Sequence, residues 1–248
     1  MPERPPRDNL IRARRPGIEL RAAESGGMPT MIGHFAVFNQ WTEIDSMWEG
    51  TFMERLSPGA FTKTFQENRA NMRVTLNHGS DPMAGDKPLG PITELKEDEQ
   101  GAYYEVPLLD TSYNRDILPG LEAGLYGASF RFRVTKDDVT KKPSRSDYNP
   151  NALPERTIKE VSVEEFGPVT FPAYAGASAS VRSLTDDFIV RQFVGHERLR
   201  RLLTETDIAL PDRAEVTHSE SASRTATIPV QPRRFKTKEE YLRWLSRT

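Results

Sequence analysis

Three residues of this chain carry side chains that could together perform acyl transfer: Ser129, His78 and Glu165. Ser129 lies in GLYGASFRFRV (residues 124–134), where Ala128, Phe130, Phe132 and Val134 alternate with Ser129, Arg131 and Arg133. That alternation predicts a strand with one apolar face and the serine on the other. A free serine hydroxyl is a poor nucleophile at neutral pH. It needs a base to take its proton and a third group to hold that base in one tautomer. His78 ends the strand-like run RVTLNH (73–78), on the same face as Val74 and Leu76, which would set an imidazole at the rim of a rigid support. Glu165 follows Val161 and Val163 in VSVEEF, and an unbroken alternation would place its carboxylate in their apolar row, where a histidine could satisfy it. Each residue also has a plainer reading: a solvent-facing strand serine, a packed core histidine and a carboxylate at a strand edge.

The elements that must position these groups are mostly strands. GIELRA from Gly17 and MIGHFAVF (31–38) read as strands, the second apolar on both faces and therefore central, with His34 packed inside. A short strand is predicted near residues 52–56. Ser57-Pro58-Gly59 opens a helix to about Asn68, with Ser57 as N-cap and Phe61 and Phe65 one turn apart. Residues 92–96 and 102–108 read as a hairpin. Residues 111–122 read as a helix in which Pro119 is an irregularity, ended by Gly124. Residues 136–155 are hydrophilic and read as a long loop insertion between two strands.

The ends differ in composition. Residues 1–16 hold five arginines among prolines and read as a disordered basic arm. The main domain is then 17–204, its last part an amphipathic helix over 184–203. Residues 205–235 form a polar linker, and 236–248 carry a short helical pattern with Tyr241, Leu242, Trp244 and Leu245, a candidate docking helix.

Bulk properties exclude several classes. With 34 Lys and Arg against 36 Asp and Glu, the charge is balanced, which argues against a general nucleic-acid partner. There is no cysteine, so thiolate catalysis, disulfides and cysteine-ligated zinc are out. His34, His78, His196 and His218 lack metal-ligand spacing, and there is no phosphate-loop motif; no metal and no cofactor are expected. No run is long and apolar enough to span a bilayer, and no secretory signal is visible, so a soluble cytoplasmic protein is expected.

Along residues 33–177 the sequence resembles the prohead serine proteases of tailed bacteriophages, which are related in fold to the herpesvirus assemblins. The resemblance rests on GHFAVFN (33–39), FMERLSPGAF (52–61), LNHGSDP with PLG (76–90), GAYYEVPLLDT (101–111), GLYGASFRF (124–132) and EEFGPVTFPAYAGA (164–177), in that order. It implies a mainly β fold with surrounding helices, built as a closed β-barrel of the herpesvirus-protease type. It also implies His78, Ser129 and Glu165 as catalytic residues; apart from the resemblance, the backbone near Ser129 and the side chain of Arg131 are candidate oxyanion donors. The implied substrates are the major capsid protein and scaffold segments, cut inside the procapsid in the host cytoplasm. Self-processing is implied too, with residues 175–180 and 219–227 as candidate places, and so is a homo-oligomer, first of all a dimer. The alternative within the same fold is an inactive capsid-assembly or scaffold-binding module. The chain departs from the family pattern at Arg131 and at Phe166, Gly167 and Pro168.

Overall fold

The computed structural model describes residues 5–15, 17–23, 26–170, 181–186, 188 and 189. Two long strands dominate it, β9 (Tyr126–Thr140) and β10 (Glu155–Thr170), paired antiparallel along nearly their whole length. On the free side of β9 lies β1 (Leu10–Arg14), and on β1 lies β11 (Val181–Ser183). On β10 lie β5 (Gly50–Leu56), itself paired with β4 (Thr42–Ser46), and the two-residue β6 (Arg73–Val74), parallel to β10. A second sheet runs in the order β2 (Glu19–Arg21), β3 (Thr30–Val37), β8 (Gly101–Pro107), β7 (Glu94–Glu97).

Phe35 joins the two sheets. Its ring lies 4.8 Å from that of Phe166 on β10, 5.2 Å from Phe130 on β9 and 5.6 Å from Phe61. Burying these rings away from water is the main force that packs the sheets together. A single parallel bridge between Phe38 and Leu56 links one sheet's end to the other. Mainly β with few helices is therefore the fold, but among the described residues neither sheet closes on itself. The closed barrel implied by resemblance is not formed by strand pairing among the described residues, which gives two sheets sharing one core.

Three local expectations need correction. Residues 1–16 are not all a disordered arm: Leu10, Ile11 and Ala13 are fully buried in β1. Arginine-rich composition hid this strand because Arg12 is itself buried, its charge balanced by Glu49 and Glu54. The insertion at 136–155 is shorter than read, since β9 continues to Thr140 and β10 begins at Glu155. Lys136 and Asp138 lie on the exposed face of this paired ribbon, while Asp137 points inward and is matched by Arg156. Ser57 does not cap a helix: helix α1 spans Thr62–Glu67, and the carboxylate of Glu97 takes the donors of Gly59 (3.0 Å), Phe61 (2.7 Å) and Thr62 (2.9 Å).

Helix α2 (Ser112–Glu122) runs unbroken through Pro119, with the Thr111 hydroxyl accepting from the Asn114 amide. β3 is central in its sheet, as its two apolar faces predict. His34 is half-buried there, 2.7 Å from Asp98 and edge-on to Tyr103. Most of the expected 184–203 helix, the linker, the 236–248 helix and the candidate self-cleavage places lie outside the described residues.

Candidate active site

The RVTLNH segment is not one strand. Pairing ends at Val74, and Leu76–Gly79 form a tight turn in which Asn77 (φ 49°) and His78 (φ 56°) both adopt the left-handed conformation. For non-glycine residues that conformation costs about 1–2 kcal/mol each, so it persists only where the surroundings fix it. Asn77 does so: its side-chain oxygen accepts from the Thr170 amide at 2.8 Å, pinning the turn to the end of β10. The result takes His78 out of the Val74–Leu76 row and swings it over the sheet.

Glu165 reaches the same place by a different irregularity. The β9–β10 register slips between Val163 and Glu165, leaving Glu164 as an extra residue. Val163 and Phe166 both remain in the core, three positions apart instead of an even number. This β-bulge shifts the phase of the strand and moves Glu165 onto the opposite face. An unbroken alternation would have buried the carboxylate beside Val161 and Val163; the bulge sets Glu165 opposite Arg131 and Gly167 opposite Ser129.

His78, Ser129 and Glu165 therefore converge. The Nε2 of His78 stands 2.8 Å from the Oγ of Ser129, and its Nδ1 is hydrogen-bonded to Glu165 Oε1. With a carboxylate at Nδ1, that nitrogen carries the proton and Nε2 presents its lone pair to the serine. Ser129 Oγ also lies 3.0 Å from the backbone carbonyl of Arg12, a second acceptor for its single proton. The other carboxylate oxygen of Glu165 accepts from the Thr75 hydroxyl at 2.6 Å. Thr75 and Asn77 are site residues that sequence reasoning missed; Thr75 precedes the LNH motif and Asn77 lies within it, but nothing in their type announces a role.

Gly167 and Pro168 are accommodated without breaking the strand. A Cβ at Gly167 would lie 2.1 Å from the Thr75 carbonyl oxygen, so only glycine lets β10 approach the segment leading to His78. Pro168 stays in register opposite Ala128.

Arg131 shares the face of Ser129. Its guanidinium is 2.8 Å from Glu164, its charge lies over the ring of Phe188 (5.4 Å), and its Nε–H is buried without an acceptor among the described residues.

Behind Ser129 runs a buried chain of alternating charges. Arg12 is clamped by Glu49 and Glu54 at 2.7 Å each; Arg156 is 3.5 Å from Glu54 and 3.0 Å from Asp137, which also binds Arg7. Burial pulls the Arg12 guanidinium down, but the two carboxylates hold it well above its usual range. For Glu49, burial pushes the carboxyl up, and the neighbouring Arg12 brings it below the ordinary value on balance. This network anchors β1, whose Arg12 carbonyl touches the serine. Among the described residues no group of three His, Asp or Glu side chains converges as a metal site.

The sequence profile of the caudovirus prohead serine proteases matches residues 17–187, and the chain belongs to that family. Among solved structures, the capsid assembly protease of bacteriophage T4 is similar at 12% identity with a TM-score of 0.41, over 66% of this chain and 98% of that one. No curated protein matches the sequence.

Proposed function

We propose that this prohead serine protease is an endopeptidase in which Ser129 is the nucleophile, His78 the general base and Glu165 the carboxylate that orients the base. The observation that carries the reading is the 2.8 Å approach of His78 Nε2 to Ser129 Oγ, with Glu165 on the other ring nitrogen. In the acylation step Oγ attacks the scissile carbonyl carbon while its proton moves to Nε2. The imidazolium so formed is stabilised by Glu165, and Nε2 then gives the proton to the leaving amine. A water, deprotonated by the same nitrogen, releases the acyl group and restores Ser129.

The developing oxyanion needs donors. Arg131 is our candidate: it lies on the serine's face, and its Nε–H, unpartnered among the described residues, supports that role. The substrates in this reading are segments of the major capsid protein and of the scaffold inside the procapsid, and the chain also cuts itself while assembled as a homo-oligomer. Treatment of the purified full chain with an alkyl fluorophosphonate tests the assignment. A phosphonyl adduct on the peptide containing Ser129, lost in His78→Ala, is expected; an adduct elsewhere, or none even after Phe188→Ala, overturns it.

A further inference from the structure

Ser129 is assembled for attack yet completely buried, with 0% of its surface exposed. Attack requires a carbonyl carbon about 3–3.5 Å from Oγ, so something must leave before any peptide can react. The neighbours of Ser129 narrow the choice. Ala13 on β1 and Gly167 on β10 are its partners within the sheet. β1 is fixed by the buried Arg12–Glu49–Glu54 cluster, and His78 belongs to the reactive group itself. Among the described residues, what remains is the segment after β11: Leu184, Thr185, Asp186 and Phe188.

This strap is tied down at defined points. The Thr185 hydroxyl accepts from the Ile11 amide at 3.0 Å. Asp186 takes three donors from the β4–β5 turn: the Ser46 hydroxyl (2.7 Å), the Met47 amide (2.9 Å) and the Trp48 amide (3.1 Å). One helical turn, closed by the Phe188 amide on the Leu184 carbonyl, then delivers the Phe188 ring over the site. That ring is edge-on to the imidazole of His78, with centroids 6.2 Å apart, and its face receives the guanidinium of Arg131.

We propose that Phe188 is an internal occupant of a substrate side-chain pocket: the strap closes the site at rest, and once it leaves the same pocket takes an aromatic side chain of the substrate. Aromaticity follows from the two contacts. A perpendicular imidazole and a guanidinium over the ring both gain from an aromatic partner, through ring–ring and cation–π attraction, and an aliphatic side chain offers neither. The part concerning substrate rests on the protease reading; the closure does not.

A test independent of catalysis uses the absence of cysteine from the chain, which makes Ser129→Cys the sole thiol. The full-length Ser129→Cys protein is alkylated with iodoacetamide or with N-benzyl iodoacetamide, and the rate is read by intact mass. Near-ultraviolet circular dichroism checks the fold. Adding Phe188→Ala, which empties the pocket, or Asp186→Ala, which frees the strap but keeps the ring, is expected to speed alkylation about tenfold or more. In the Phe188→Ala background the benzyl reagent gains severalfold over iodoacetamide, relative to their ratio on a free thiol. Equal rates with and without either strap substitution overturn the closure, and a faster rate without benzyl preference overturns the aromatic pocket. The phosphonate result on Ser129 stands or falls separately.

Discussion

Gly167 sits so close to Thr75 that a Cβ on the glycine would stand 2.1 Å from the threonine's carbonyl oxygen. Two catalytic candidates depend on this one contact, because β10 carries Glu165 and the segment after Thr75 carries His78. Gly167→Ala must push the two backbones apart, and the Thr75 amide bond to the Phe166 carbonyl (3.1 Å) goes with them. Overpacking of this kind costs about 1–3 kcal/mol. The expected outcome is a lower urea midpoint together with a loss of phosphonate labelling larger than the stability change explains. Wild-type labelling in Gly167→Ala would mean that the approach is not needed to hold the pair.

Thr75 is expected to act through Glu165. Thr75→Val keeps the shape but removes the hydroxyl that donates to the carboxylate at 2.6 Å, leaving a buried charged oxygen short of a partner. Such a loss costs about 1–3 kcal/mol, or roughly 5- to 150-fold if it is felt in the transition state. Steady-state cleavage should show this loss in kcat with KM little changed, and Thr75→Ser should restore most of it. Equal activity of the valine and serine variants would remove Thr75 from the site.

Arg12→Met should be severely destabilising. It strands Glu49 and Glu54 in the interior, and breaking one side of a buried ion pair costs about 3–5 kcal/mol. A thermal midpoint within a few degrees of wild type would show that the cluster is not the anchor of β1.

The same cluster sets an acid limit. The carboxyl of Glu49 is held below its ordinary value of 4.5 in the folded protein. Its contribution to stability is therefore complete above that value and is lost as pH falls through the depressed folded value. Urea midpoints should drop on going from about pH 6 to about pH 3, and the drop should be smaller in Glu49→Gln, which has no proton to gain there. An identical drop in both proteins would place the acid sensitivity elsewhere.

Much of this site could be read from residue order alone, and the parts that could not were all irregularities of backbone. The alternation around Ser129 is obeyed: Ala128, Phe130, Phe132 and Val134 are the buried row. Glu165 and His78 were legible as residue types, but period-two counting put both on the wrong face. A single extra residue at Glu164 reverses the strand's phase, and two left-handed residues at Asn77 and His78 turn the chain over the sheet. Neither device has a signature in composition. The arginine-rich start misled for another reason: charge predicts exposure unless an opposite charge far along the chain matches it, as Glu49 and Glu54 match Arg12. The closed barrel came from family likeness, and among the described residues the strand pairing forms two sheets and closes neither. Nothing in the polarity of Ser129's neighbours announced that its face would be covered.

The most direct test of the central claim is co-expression of this chain with its cognate capsid protein, followed by intact mass measurement of the capsid protein. Cleaved capsid protein with the wild-type chain, and full-length capsid protein with Ser129→Ala of unchanged thermal stability, is the predicted result. Cleavage that persists with Ser129→Ala, or capsid protein left whole by the wild-type chain in assembled proheads, would contradict it.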